Sequence, residues 1–374
     1  MTSKIKLIKK IGNNENKVGY FSNQNYIYED KRLEKYIATL VGCGEGDTLG
    51  MGFESWPKAR IIKHLGRVTQ PIDPVILYDA NSNILEKDEF GKIKYYSRDL
   101  VKGDYTDDTI LTLALAESIA AEKGLNLYDI AKRQLHEYEI RLREDGTVMG
   151  GFGGTTIDAF KKLLNGVSPI DSGVIGGPGN APGMKMHAVG LYMDAKNDYE
   201  FGLKYAELIG KITHLDPRSL VSGVIQAHAI YSVLRDISRD DFVDSCANVC
   251  KQWEKPLTPE YSVWEKGNLT SRFEWIRDNR DASSEKAHKV LGSKSEVMSS
   301  YPFALFMFQK YWNDPLEGLI ETVNFGGGCD TTGAMYGALC GAKNGMIFPQ
   351  GWIDVLRGKE RLIEAAKGIY ALKE

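Results

Sequence analysis

Helical spacing of apolar positions runs through most of the chain. From Asp30 onward, Leu33, Tyr36, Ile37, Leu40 and Val41 fall three and four apart. That spacing predicts an amphipathic helix running into a glycine-rich end, Gly42-x3-Gly46-Asp47-x2-Gly50-x3-Glu54. A second helix opens at Thr106-Asp107-Asp108-Thr109, with a hydroxyl cap, acids in the first turn and Gly124 as the stop. Helical periodicity returns at about 127–143, in a helix fed by GGFGGTT (150–156) and ending at Asn165-Gly166, and at 198–212, 217–236, 240–254, 271–280, 300–312, 315–323, 331–344 and 359–371. Between 56 and 105, PVILYDANSNIL and GKIKYYSRDL instead predict two short extended segments joined by turns. The pattern reads as one mainly α domain from residue 30 to 374, with a small β excursion inserted at about 56–105 and a polar, Asn-rich lead-in at 1–29.

One helix carries a different signature. Ala334, Gly337, Ala338, Gly341, Ala342 and Gly345 recur at three- and four-residue spacing behind Asp330 and Thr331. Small residues on one helical face let another backbone approach closely. Each interior glycine costs roughly 0.5–1 kcal/mol relative to alanine, so such a run needs a packing or functional reason. The expectation is a helix wedged into the core, holding Asp330 and Thr331 at the floor of a site.

Composition narrows the class. The chain has 374 residues, 43% hydrophobic and 26% charged, with a net charge of −3, which is ordinary for a globular protein with a core. No basic run provides a nucleic-acid footprint. Five cysteines without a CxxC pair read as reduced thiols. Met1 to Ile11 lacks the apolar centre of a secretory signal, and no stretch approaches the roughly 18 apolar residues of a membrane span. The expectation is a soluble cytoplasmic protein with neither nucleic-acid nor membrane partners.

Two acidic helix starts are the first chemical candidates. Asp107 and Asp108 follow the hydroxyl of Thr106, and Asp330 with Thr331 repeats the arrangement. Hard oxygen ligands without histidine or thiolate suit Mg²⁺ or Mn²⁺ better than zinc, and no two of the six histidines have metal-ligand spacing. The plainer reading is that such acids only cap helices. GGFGGTT and GGPGNAPG (176–183) could hold phosphate oxygens on exposed backbone N–H groups, although neither is a Walker loop or sits in a dinucleotide-fold context. His214 precedes a helix start at Asp216-Pro217, and Cys329 reads as a packed thiol.

Taken in order, GCGEGDTLGMGFE (42–54), YTDDT (105–109), GGFGGTT (150–156), GNAPGMK (179–185), Thr213-His214 and NFGGGCDTTGAMYGALCGAKNG (324–345) resemble the ADP-ribosylglycohydrolase family. The resemblance implies a single-domain orthogonal helical bundle with a binuclear Mg²⁺ or Mn²⁺ site at the bottom of a cleft. It implies that Thr106, Asp107 and Asp108 ligate one metal, with Asp107 essential to catalysis, and that Asp330 and Thr331 join the two clusters. By the same comparison Glu54 is the acid over the scissile bond, Gly151, Gly153 and Asn180 hold the diphosphate and riboses, and His214 lies on the ribose side. The implied reaction is hydrolysis at the anomeric carbon of an ADP-ribosylated protein or a small ribosyl conjugate.

The chain departs from the family pattern at two places. The family's terminal motif reads G-G-D-T-D-T, and Gly328 stands on its first Asp with Cys329 on the Thr. An Arg of the family is here Lys185, which lacks the bidentate fork. The missing carboxylate leaves three options: a single metal, a substitute ligand such as Asp47 or Asp104, or a cleft that binds ADP-ribose without hydrolysing it. A further alternative keeps the fold and changes the substrate to a free nucleoside or another small N-riboside.

Overall fold

The computed structural model describes residues 29–75, 100–261 and 267–373. The 1–28 part of the lead-in and most of the proposed extended pair, residues 76–99, lie outside them. The helices are α1 (Lys31–Met51), α2 (Lys58–Leu65), α3 (Asp107–Glu122), α4 (Leu127–Glu139), α5 (Gly154–Leu164), α6 (Ala181–Lys185), α7 (His187–Lys196), α8 (Tyr199–Lys211) and α9 (Pro217–Leu234). They continue as α10 (Arg239–Trp253), α11 (Leu269–Asp278), α12 (Ser284–Leu291), α13 (Val297–Lys310), α14 (Pro315–Asn324), α15 (Cys329–Asn344), α16 (Gln350–Val355) and α17 (Lys359–Tyr370). The fold is a mainly α bundle, and β pairing among the described residues is confined to isolated bridges such as Pro57 with Gly326 and Gly179 with Glu296.

Helix α1 starts where Asp30 Oδ1 accepts from Arg32 N at 2.8 Å and Leu33 N at 3.1 Å. It does not stop at its glycines. The stretch read from sequence as a glycine-rich end is helical through Met51, because α15 needs those glycines. A Cβ on Gly42 or Gly46 would strike the carbonyl of Gly337 or Gly333, and a Cβ on those residues would strike α1 in return. The two helices are therefore in backbone contact along facing glycine rows. This contact offsets the propensity cost of the glycines and wedges α15 into the core.

Nearly every residue of α9, α13 and α15 is buried, as expected of helices surrounded by others. Before the proposed extended pair, the 56–105 insertion also holds a helix at 58–65. Helices α12 and α16 have no counterpart in the periodicity reading, and α4 ends at Glu139, before a turn in which Leu142 bridges Val148. Among the described residues no helix is long and apolar enough to cross a membrane.

Candidate active site

The α1–α15 contact brings two distant helix starts together at the floor of a cleft of about 750 Å³. Asp47, fully buried on α1, faces the N-terminus of α3. Its carboxylate accepts from Thr106 N at 3.0 Å, Thr109 N at 3.1 Å and Thr109 Oγ1 at 2.7 Å, and lies 3.0 Å from Thr106 Oγ1. Thr106 occupies the cap position, yet its own hydroxyl makes no capping bond to α3. The cap is Asp47, supplied from another helix. Burial outweighs these donors and pushes the Asp47 carboxyl up to about 6.

Thr106 Oγ1 also lies 3.0 Å from Asp108 Oδ2, so its single proton can serve only one of the two carboxylates at a time. Asp108 Oδ2 accepts from Thr331 Oγ1 at 3.3 Å, which ties the start of α3 to the start of α15. Asp108 Oδ1 is buried with no hydrogen-bond partner. Burial, followed by the charges of Asp330, Asp47 and Asp107, holds the Asp108 carboxyl well above the usual range. Asp330, in the first turn of α15, accepts from Thr331 N at 2.8 Å and is 3% exposed. Asp107 donates its backbone N–H to Gly150 O at 2.7 Å and so moors the glycine loop to the acidic floor.

The remaining predicted residues line the same cleft. Gly151, at φ +84°, and Gly153, the N-cap of α5, form one wall with room above them. Asn180 donates Nδ2–H to Ser300 Oγ at 3.1 Å and stands at the start of α6. His214 Nδ1 is 2.9 Å from Thr213 Oγ1, and burial, then the Lys185 charge, lowers its pKa to about 3, so the ring is neutral. Lys185 is fully buried and donates to the same Thr213 hydroxyl at 3.3 Å. Burial brings its pKa down to about 7 against the pull of Asp107.

Glu54 borders the floor at the end of α1. Its chain neighbours are fastened to the α15 approach, with Ser55 N donating to Gly327 O at 2.7 Å and Gly327 N to Trp56 O at 2.9 Å. The chain just after Glu54 is thus anchored to the turn that leads into α15.

Two acids were raised as substitutes for the missing carboxylate, and both have partners elsewhere. Asp47 is already occupied as the brace of α3, and Asp104 turns back on its own loop, accepting from Val101 N at 2.9 Å beside Arg357. Cys329 is buried, with its Sγ donating to Gly50 O at 3.3 Å, as a packed thiol would. Sequence reasoning missed the wall contributed by Arg272, Lys289 and Lys294. These cations lie in or beside short helices with no motif, so no local signal marks them.

The donors at the floor are hard oxygens, one of them orphaned, and that chemistry fits a divalent cation. Among the described residues, however, no three His, Cys, Asp or Glu side chains form a group that could hold a metal ion. The fit is to a sparse site completed by hydroxyls, water or substrate.

Residues 28–374 match the sequence model of the ADP-ribosylglycohydrolase family, and the chain belongs to that family. It is 26% identical over 369 residues to ADP-ribosylhydrolase ARH3 of Homo sapiens, covering 91% of this chain and 94% of the relative. It is 25% identical over 317 residues to the uncharacterized protein YegU of Escherichia coli K12, covering 84% and 89%. Its fold is similar to that of a solved ADP-ribosylglycohydrolase-related protein complex, with a TM-score of 0.61 at 21% identity, covering 92% of this chain and 99% of the other.

Proposed function

We propose that this protein hydrolyses the anomeric bond of an ADP-ribosyl or related ribosyl conjugate, with Mg²⁺ or Mn²⁺ held at the cleft floor. The observation that carries this reading is Asp108, bonded from both helix starts on one oxygen and left with the other orphaned inside the cleft. Asp107, Asp108 and Asp330, with the hydroxyls of Thr106 and Thr331, would hold the ion. When bound, the ion would bind ribose hydroxyls and polarise a water.

The other residues do work of their own. Gly151, at positive φ, and the start of α5 line the cleft and offer backbone N–H groups suited to diphosphate oxygens. Neutral His214 and Asn180 offer hydrogen bonds to the sugar side. Glu54 stands where a carboxylate could take a proton from the attacking water or steady charge at the anomeric carbon. Holding the sugar between a fixed floor and fixed walls supplies the orientation part of the rate. The substrate classes that follow are an ADP-ribosylated protein side chain or a small ribosyl conjugate.

The test is release of ADP-ribose from arginine-linked, serine-linked and small-molecule conjugates, with Mg²⁺ or Mn²⁺ and with chelator. Metal-dependent release that disappears in Asp108→Asn is expected. No turnover on any conjugate overturns the reading. ADP-ribose binding without turnover would instead support the binding-module reading that Gly328 raises.

A further inference from the structure

We propose that the group released from the anomeric carbon carries negative charge beside the scissile bond, a carboxylate or a phosphate, and that Arg272, Lys289 and Lys294 bind it. This names the substrate class within the hydrolase reading above and rests on that reading.

Two walls rise from the two helix starts that meet at Asp108 and Thr331. The glycine wall assigned to the diphosphate is moored to the start of α3, through Asp107 N and Gly150 O. The cation wall is moored to the start of α15, where Gly328 N donates to Ser293 O at 2.7 Å. Glu54 belongs to this second side, because its neighbour Ser55 donates its N–H to Gly327 O. With Glu54 addressing the anomeric carbon, the group that leaves it meets the 292–296 turn, while the diphosphate lies toward Gly151.

The cation wall is held in place. Ser293 Oγ lies 2.9 Å from His288 Nε2, Lys294 N donates to Ser299 Oγ at 3.0 Å, and Val297 N donates to Pro178 O at 2.7 Å. Arg272 Nη1 donates to Val290 O at 3.0 Å, which sets its guanidinium beside α12.

Charge on this wall is unbalanced. Elsewhere long cations find carboxylates: Lys58 pairs with Glu285 and Glu321, and Arg361 with Glu117 and Glu137. Among the described residues, the ammonium groups of Lys289 and Lys294 make no hydrogen bond or ion pair. Three cations on the wall face one acid, Glu296. Such an excess attracts an anion and discriminates against neutral partners. The diphosphate has its donors on the other wall, so the excess meets a different anion.

The test compares ADP-ribosyl peptides, arginine-linked and serine-linked, flanked by glutamate, by phosphoserine or by glutamine. Kd and kcat/KM are measured on the full-length protein at low and high salt. Wild type is expected to favour the anionic flanks by about 5–10-fold, less at high salt, as a few exposed ion pairs would give. Lys289→Glu combined with Lys294→Glu is expected to erase or invert that ratio. The flank favoured more tells carboxylate from phosphate. Turnover without anionic preference overturns the proposal and leaves the hydrolase reading intact. Anionic preference in Kd without turnover of any peptide supports the wall and overturns the hydrolase reading. A preference that survives in the double variant overturns the role of these residues.

Discussion

Thr331 Oγ1 donates to Asp108 Oδ2 at 3.3 Å, joining residues 223 positions apart in sequence across the floor of the cleft. This bond aims Asp108 and leaves its second oxygen free for a ligand. Thr331→Val keeps the shape and removes the donor. It is expected to lower kcat/KM by about 10–100-fold, the usual scale for losing a group that orients a ligand, with little change in Tm. Unchanged kinetics would show that the hydroxyl does not matter.

Asp47 braces α3 from outside that helix. Asp47→Asn places an amide NH₂ against donors that need an acceptor, so a buried conflict replaces a satisfied network. A loss of about 2–3 kcal/mol in urea unfolding is expected, with activity falling in parallel because the start of α3 carries Asp107 and Asp108. A variant as stable as wild type would refute the brace.

The α1–α15 interface gives a contrast between two glycines. Gly46→Ala puts a methyl into the Gly333 carbonyl and is expected to cost about 3 kcal/mol or prevent folding. Gly351→Ala, on α16 with nothing within 4 Å of the new methyl, is expected to gain about 0.5–1 kcal/mol from helix propensity. Denaturation midpoints of the two variants test both signs, and equal effects would refute the packing argument.

Glu45 is a second buried acid on α1, fully inside the protein with neither carboxylate oxygen bonded. Burial raises its pKa well above 4.5, and the Lys359 charge only partly opposes this. A raised folded-state pKa means that its contribution is fully present below the unfolded value, near 4.5, and is lost as pH rises through the folded value. Glu45→Gln removes that loss. The variant is expected to match wild type near pH 4 and to exceed it increasingly toward pH 8 in unfolding titrations. A pH-independent difference would show that Glu45 has a partner in solution.

Much of the floor was legible in sequence because its residues carry local constraints. The small-residue spacing of 334–345 announced a close backbone neighbour, and the acids at 107, 108 and 330 stood at helix starts. The partner of that spacing was harder to see. Gly42, Gly46 and Gly50 read as the end of a helix because propensity alone disfavours glycine there, and only the facing α15 backbone reverses that preference. Asp47 looked like a spare ligand because sequence order cannot show that Thr106 and Thr109 already claim both of its oxygens. Arg272, Lys289 and Lys294 could not be foreseen, since their shared wall exists only after α11, α12 and the 292–296 turn have folded together.

The glycine-to-glycine contact between α1 and α15 also imposes an order of events on the newborn chain. Helix α1 is synthesised before α15, with most of its residues destined for burial. The backbone it must lie against is not synthesised until nearly 300 residues later, at 329–344. Until then the earlier helices can form locally, but the groove meant for α15 stays unfilled and the floor of the cleft does not exist. The protein should therefore depend on protection of that groove during synthesis, and its chemistry should switch on in one late step.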